Sequence, residues 1–72
     1  MLTYKRIFEE NGTQRYEFYP DGDETVAGII EFENGKPVKL IQESDKDVKR
    51  YYAMHAFQGI NTANEFGTVA WY

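Results

Sequence analysis

Seventy-two residues, a formal net charge of -4 and no cysteine describe one domain, 1–72, and exclude disulfides, thiolate metal sites and cysteine nucleophiles. A chain this short buries only about 60% of the surface its unfolded form exposes, so packing must stabilise it, and aromatic residues at 17% of the chain supply the large apolar area needed. The excess acid lies in residues 1–36, with eight Asp/Glu against four Lys/Arg, while residues 37–72 balance at four of each; that argues against direct nucleic-acid binding, which needs a basic patch.

The opening run, MLTYKRIFEE, has no long apolar stretch and no small-residue cleavage site, so it does not read as a signal peptide. No segment approaches the roughly 20 apolar residues of a membrane helix. A soluble cytoplasmic protein with no membrane partner is the expectation.

Asn11-Gly12 and Asn34-Gly35 each lie between alternating apolar residues, the strongest short-range hairpin signal. With two-residue loops Phe8 would face Arg15 and Ile30 would face Lys39, mixing apolar and charged groups on both faces. Three-residue loops, Glu10-Asn11-Gly12 and Glu33-Asn34-Gly35, with a left-handed glycine at a bulge, instead set Tyr4 against Phe18, Phe8 against Gln14, Ile30 against Val38 and Phe32 against Lys36. One face then collects Leu2, Tyr4, Phe8, Tyr16, Phe18, Val26, Ile30, Phe32, Val38 and Leu40, and a one-residue slip would scatter that set. Between the hairpins, Pro20 and Asp21-Gly22 mark a turn. A three-residue loop, Asp21 to Asp23, sets Phe18 opposite Val26 and Tyr16 opposite Gly28, where a ring compensates for the missing side chain. The prediction is a four-stranded antiparallel meander over 2–9, 13–19, 24–33 and 36–42.

The period changes in SDKDVKRYYAMHAFQG. Ser44 suits a helix N-cap with Asp47 three residues on, Asp45 and Asp47 suit the positive end of the dipole, and Gly59 suits the stop. The spacing predicts one helix with Val48, Tyr51, Tyr52, His55 and Ala56 on a shared face. Residues 60–67 read as loop and Thr68–Tyr72 as a short strand, docked so that Trp71 and Tyr72 are not left in water. Its expected place is beside the first strand, antiparallel, with the fourth strand as the alternative. The fold class is therefore α+β, in the order β-β-β-β-α-β.

Candidate sites are few. His55 is the one histidine, and a lone histidine can act as a general base. Its helical neighbours are Tyr51, Tyr52 and Gly59, with no acid in reach, so a part-buried histidine bonded to tyrosine or backbone is the expectation. Asp21, Asp23 and Glu24 fall short of a calcium loop and read as a turn. The six tyrosines lack the positive groove of a single-strand binder. There is no phosphate-binding glycine loop and no hydrolase or zinc-protease motif, so no catalytic residue, metal or cofactor is assigned.

The outer sheet face should carry Ile7, Tyr19, Ala27, Ile29 and Ile41 among Lys5, Arg15, Glu17, Glu31 and Lys39. Ala27 is expected to face Ile41, and the cluster Ala27, Ile29 and Ile41 is the candidate binding patch. The leading expectation is a non-enzymatic protein-binding module acting through a sheet face or edge, on another protein or as a weak homodimer. The alternatives are an acidic decoy for a nucleic-acid-binding protein, resting on Glu9, Glu10, Glu17, Asp21, Asp23, Glu24, Glu31 and Glu33, and a small enzyme using His55 with a tyrosine.

Overall fold

The computed structural model describes residues 1–71. Five strands, β1 (Leu2–Glu10), β2 (Thr13–Pro20), β3 (Gly28–Glu33), β4 (Lys36–Gln42) and β5 (Phe66–Val69), form one antiparallel sheet in the order β4-β3-β2-β1-β5. One helix, α1 (Tyr51–Gly59), packs across β2, β3 and β5. The element order is β-β-β-β-α-β, as the sequence predicts.

Both hairpin tips differ from expectation. Glu10 pairs with Thr13 and Glu33 with Lys36, so each loop holds only Asn and Gly. Asn11 (φ 51°) and Gly12 (φ 85°), like Asn34 (φ 50°) and Gly35 (φ 81°), are left-handed. That is the mirror-image turn whose twist matches the flanking strands, and asparagine tolerates it at little cost. The conflict between short loops and a one-sided core is resolved inside the strands by bulges. In β1 the register slips between Arg6 and Phe8; in β4 it slips at Val38 and at Ile41. Each slip inserts one residue and resets the alternation of faces.

The inner face is therefore built differently in detail. Tyr4 faces Phe18 as expected, but Ile30 faces Leu40, Phe32 faces Pro37, and Phe8 faces Arg15. Val38 is exposed. The stretch 24–33 is not one strand. Glu24–Val26 forms a 3-10 turn, which Asp23 caps by accepting from the Thr25 N–H at 3.0 Å. That moves the pairing two residues: Phe18, not Tyr16, lies opposite Gly28, and its ring fills the space a Cβ would need. Tyr4 covers Gly67 of β5 in the same way. The core comprises Leu2, Tyr4, Tyr16, Phe18, Ile30 and Phe32 from the sheet, closed by Ala53, Ala56 and Ile60. Tyr16 meets Tyr4 and Phe32 edge to face at 5.6 and 5.7 Å, the arrangement ring quadrupoles favour.

The helix is shorter than its spacing suggests, and its buried stripe is different. It begins at Tyr51 rather than near Ser44. Ser44 is buried, and its hydroxyl donates to the Val26 carbonyl. The chain then passes through two left-handed residues, Lys49 and Arg50. Asp47 supplies the cap from outside: its carboxylate accepts from the Tyr52 and Ala53 N–H groups at 2.9 and 3.0 Å, satisfying donors that a helix start leaves free. Val48 is 72% and Tyr51 51% exposed, so the face turned to the sheet is Ala53 and Ala56. Small residues let the helix approach a sheet already filled with rings.

The fifth strand does pair antiparallel with β1, but as Phe66–Val69, two residues early. Trp71 lies past the strand and packs on the helix, and the expectation for Tyr72 falls outside the described residues. Among the described residues no helix is long and apolar enough to cross a membrane.

Candidate interaction face

Among the described residues, the one α-helix lies on one side of the sheet and leaves the other side without one. Cross-strand register sets its layout. Lys5, Glu17 and Ile29 form one row, Thr68, Thr3 and Tyr19 a second, and Arg15, Glu31 and Lys39 a third. The third row is an ion cluster: Arg15 Nε donates to Glu31 Oε1 at 2.9 Å, and Lys39 Nζ lies 3.9 Å from Oε2. The β1 bulge brings Phe8 to this face, where the Arg15 guanidinium sits 4.7 Å from its ring centre, a cation–π contact. In the second row Tyr19 is buried although no helix covers it. Its hydroxyl donates to Glu17 Oε1 at 2.8 Å. Burial, with Glu17 adding to it, pushes that hydroxyl well above the ordinary tyrosine range.

The three sequence-derived patch residues fall at one end of β3 and β4, with some changes. Ile29 is half-buried and pairs with Gln42. Ile41 is the bulged residue beside that pair and is exposed. Ala27 precedes β3, so the expected Ala27–Ile41 pair does not form; the Ala27 carbonyl instead accepts from Gln42 Nε2 at 3.0 Å. Ala27 and Gln42 line a hollow of ≈ 340 Å³ between the 3-10 turn and β4. Across Glu24, which borders both, Thr3, Lys5, Tyr19, Phe66 and Thr68 line a second hollow of ≈ 510 Å³. Sequence reasoning missed Phe66, which it placed in a loop. The run Phe66-Gly67-Thr68-Val69 carried a strand signal, outweighed by the pull of Trp71 and Tyr72 toward the core.

His55 lies in a different environment on the helix. Its ring stacks on Trp71, centroids 3.8 Å apart and planes 2° from parallel, with Tyr51 edge-on at 4.8 Å. Aromatic stacking replaces the expected hydrogen bond to tyrosine or backbone. Tyr52 packs on Trp71 and donates to Asp21 Oδ2 at 3.1 Å. Asp21 also meets Lys46 at 3.2 Å, and these two partners, Lys46 first, hold its carboxyl below the usual range. The group is a wall of rings fastened at one end, in which Tyr51 is the tyrosine set edge-on to the imidazole.

The acids that motivate a decoy are largely engaged within the chain. Glu9 pairs with Arg6, Glu17 with Tyr19, Asp21 with Lys46, Asp23 with Thr25 and Glu31 with Arg15. Comparison with models of known protein families, with curated proteins and with solved structures finds no match in any of the three.

Proposed function

We propose that this chain is a small cytoplasmic protein-binding module that engages another protein through the open sheet face, at Ala27, Ile29 and Ile41. The observation carrying this reading is the asymmetry of the sheet. One face is covered by α1 over β2, β3 and β5, while the other presents Ile41 and Ile7, 44% and 46% exposed, among charges that mostly satisfy one another. Pairing of Arg15, Glu31 and Lys39 lowers the cost of bringing a partner onto the face, since charges already matched lose less on desolvation. Apolar residues framed by satisfied polar groups are the usual anatomy of a recognition patch.

The experiment is capture from a native lysate with wild type and with Ile29→Lys/Ile41→Glu, at low and at high salt. A specific partner should be retained by wild type at both salt concentrations and lost by the double variant. A partner released steeply by salt alone points to the remaining acids. If the double variant keeps every captured protein, the patch is ordinary surface.

A further inference from the structure

The two edges of the sheet are protected very differently. β4 carries Lys36, Pro37 and Lys39 and two bulges, the devices by which native proteins keep strands from adding. β5 reads Phe66-Gly67-Thr68-Val69, with no charge, no proline and no bulge; shortness is its one defence. Phe66 is 74% exposed.

Register shows which main-chain groups face outward. Arg6 N–H donates to Glu65 C=O at 2.6 Å, making Arg6 and Glu65 a hydrogen-bonded pair. Pairs alternate along an antiparallel ladder, so Tyr4–Gly67 and Leu2–Val69 are bonded while Lys5–Phe66 and Thr3–Thr68 are not. The N–H and C=O of Phe66 and Thr68 therefore point away from β1. No turn, loop or side-chain hydrogen bond among the described residues reaches them. Beyond the strand, Trp71 turns back onto the helix, and among the described residues none pairs with the outer edge of β5.

We propose that β5 pairs antiparallel with the β5 of a second copy, about a two-fold axis at Gly67, joining two sheets into one. Phe66 of each copy then lies opposite Thr68 of the other, and both are outward-facing residues, so every free group finds a partner. Each such pair exchanges two hydrogen bonds. Register and face agree: Phe66 and Thr68 share the outer face, while the two glycines meet on the inner face, each beneath its own Tyr4 ring. The only charge next to the strand, Glu65, falls opposite Val69 rather than opposite its own copy. Phe66 also comes to border the partner's hollow at Thr3 and Thr68. A contact of four residues per copy buries far less than the ~1,000 Å² of a stable complex, so the dimer is a transient one that forms as concentration rises. This contact is independent of the Ala27, Ile29 and Ile41 patch.

The test is sedimentation of wild type, Thr68→Pro, Phe66→Lys and Ile29→Lys/Ile41→Glu from micromolar to millimolar concentration, with intermolecular NMR contacts measured at the top of that range. Thr68→Pro removes an outward N–H and no internal bond, so the fold is kept. It deletes two bonds across the axis and should weaken self-association about ten-fold or more. Phe66→Lys puts like charges near the axis and should do the same. The expected signature is an intermolecular Hα–Hα contact between the two Gly67 residues, which form a non-bonded pair. A wild type that stays monomeric at millimolar concentration overturns the proposal. So does self-association lost in the isoleucine double variant but kept in both β5 variants.

Discussion

Each face of the sheet buries a tyrosine, by different means. Tyr16, on the inner face, is fully buried by Tyr4, Phe32 and the helix, and its hydroxyl donates to the Asn64 carbonyl at 2.6 Å. Tyr19, on the outer face, is 6% exposed with no helix above it; Thr3 lies opposite it, the 3-10 turn packs against β2, and its own bond goes to Glu17. The inner face works by matching shapes. The outer face works by matching charges and hydrogen bonds locally, and so tolerates being open. Burial alone does not identify the side of a sheet on which a domain is built.

Substitutions should separate these two modes. The largest effect is expected from Phe18→Ala, which empties the inner face and uncovers Gly28; large aromatic deletions cost ~3–5 kcal/mol, most of the margin of a domain this size. Urea denaturation followed by circular dichroism checks it, and a loss under about 1 kcal/mol would mean the inner face is loosely packed. Next comes Glu31→Ala on the outer face. Glu31 is a nearly buried carboxylate between Arg15 and Lys39, and losing a bond to a charged group costs ~1.5–3 kcal/mol. Glu31→Gln should recover part of that. If both variants melt like wild type, the ion cluster is decoration.

A smaller effect, of opposite sign, is expected from Gln14→Met. Gln14 is buried on the inner face and its Oε1 has no partner among the described residues. An apolar side chain of similar volume there should raise stability by ~1 kcal/mol. Smallest is a response confined to alkaline pH. Burial raises the Tyr16 hydroxyl above its ordinary value, and burial with Glu17 raises Tyr19 further. An acid whose folded value is raised stays neutral in the fold while the unfolded chain ionises. Stability is therefore intact below about pH 10, the unfolded tyrosine value, and falls as pH rises beyond it. Tyrosinate absorbance of the native chain should lag behind that of the chain in urea. Identical titrations would deny both burials.

Much of this was legible in the residues. The Asn-Gly turns, the alternation and the change of period before Tyr51 specify a meander and a following helix, and the exposed aromatic end implies a docked last strand. Bulges are what local patterning does not reveal. Phe8 obeys the alternation of β1 up to Ile7, where one inserted residue turns it to the other face. The helix start was obscured because Ser44 and Asp47 have the right chemistry for a cap, yet one bonds the Val26 carbonyl and the other caps from four residues before Tyr51. The period of two places Ala27, Ile29 and Ile41 alike on the outer face. Ala27 departs from its expected pairing because it ends the 3-10 turn, which has no period of two to extrapolate.

The way α1 is capped also carries an expectation about the order in which the chain assembles. A nine-residue helix is too short to persist alone in water. Its cap depends on Asp47 reaching past Lys49 and Arg50, both held left-handed, a conformation that costs non-glycine residues about 1–2 kcal/mol each. Contacts with the sheet offset both costs, so the helix is expected to consolidate on a sheet already formed. The hairpins close through local contacts, which form fast; the helix has to arrive on a surface already made. Changes at Ala53 or Ala56 should therefore leave the folding rate nearly untouched and accelerate unfolding, the kinetic signature of a part that joins after the transition state.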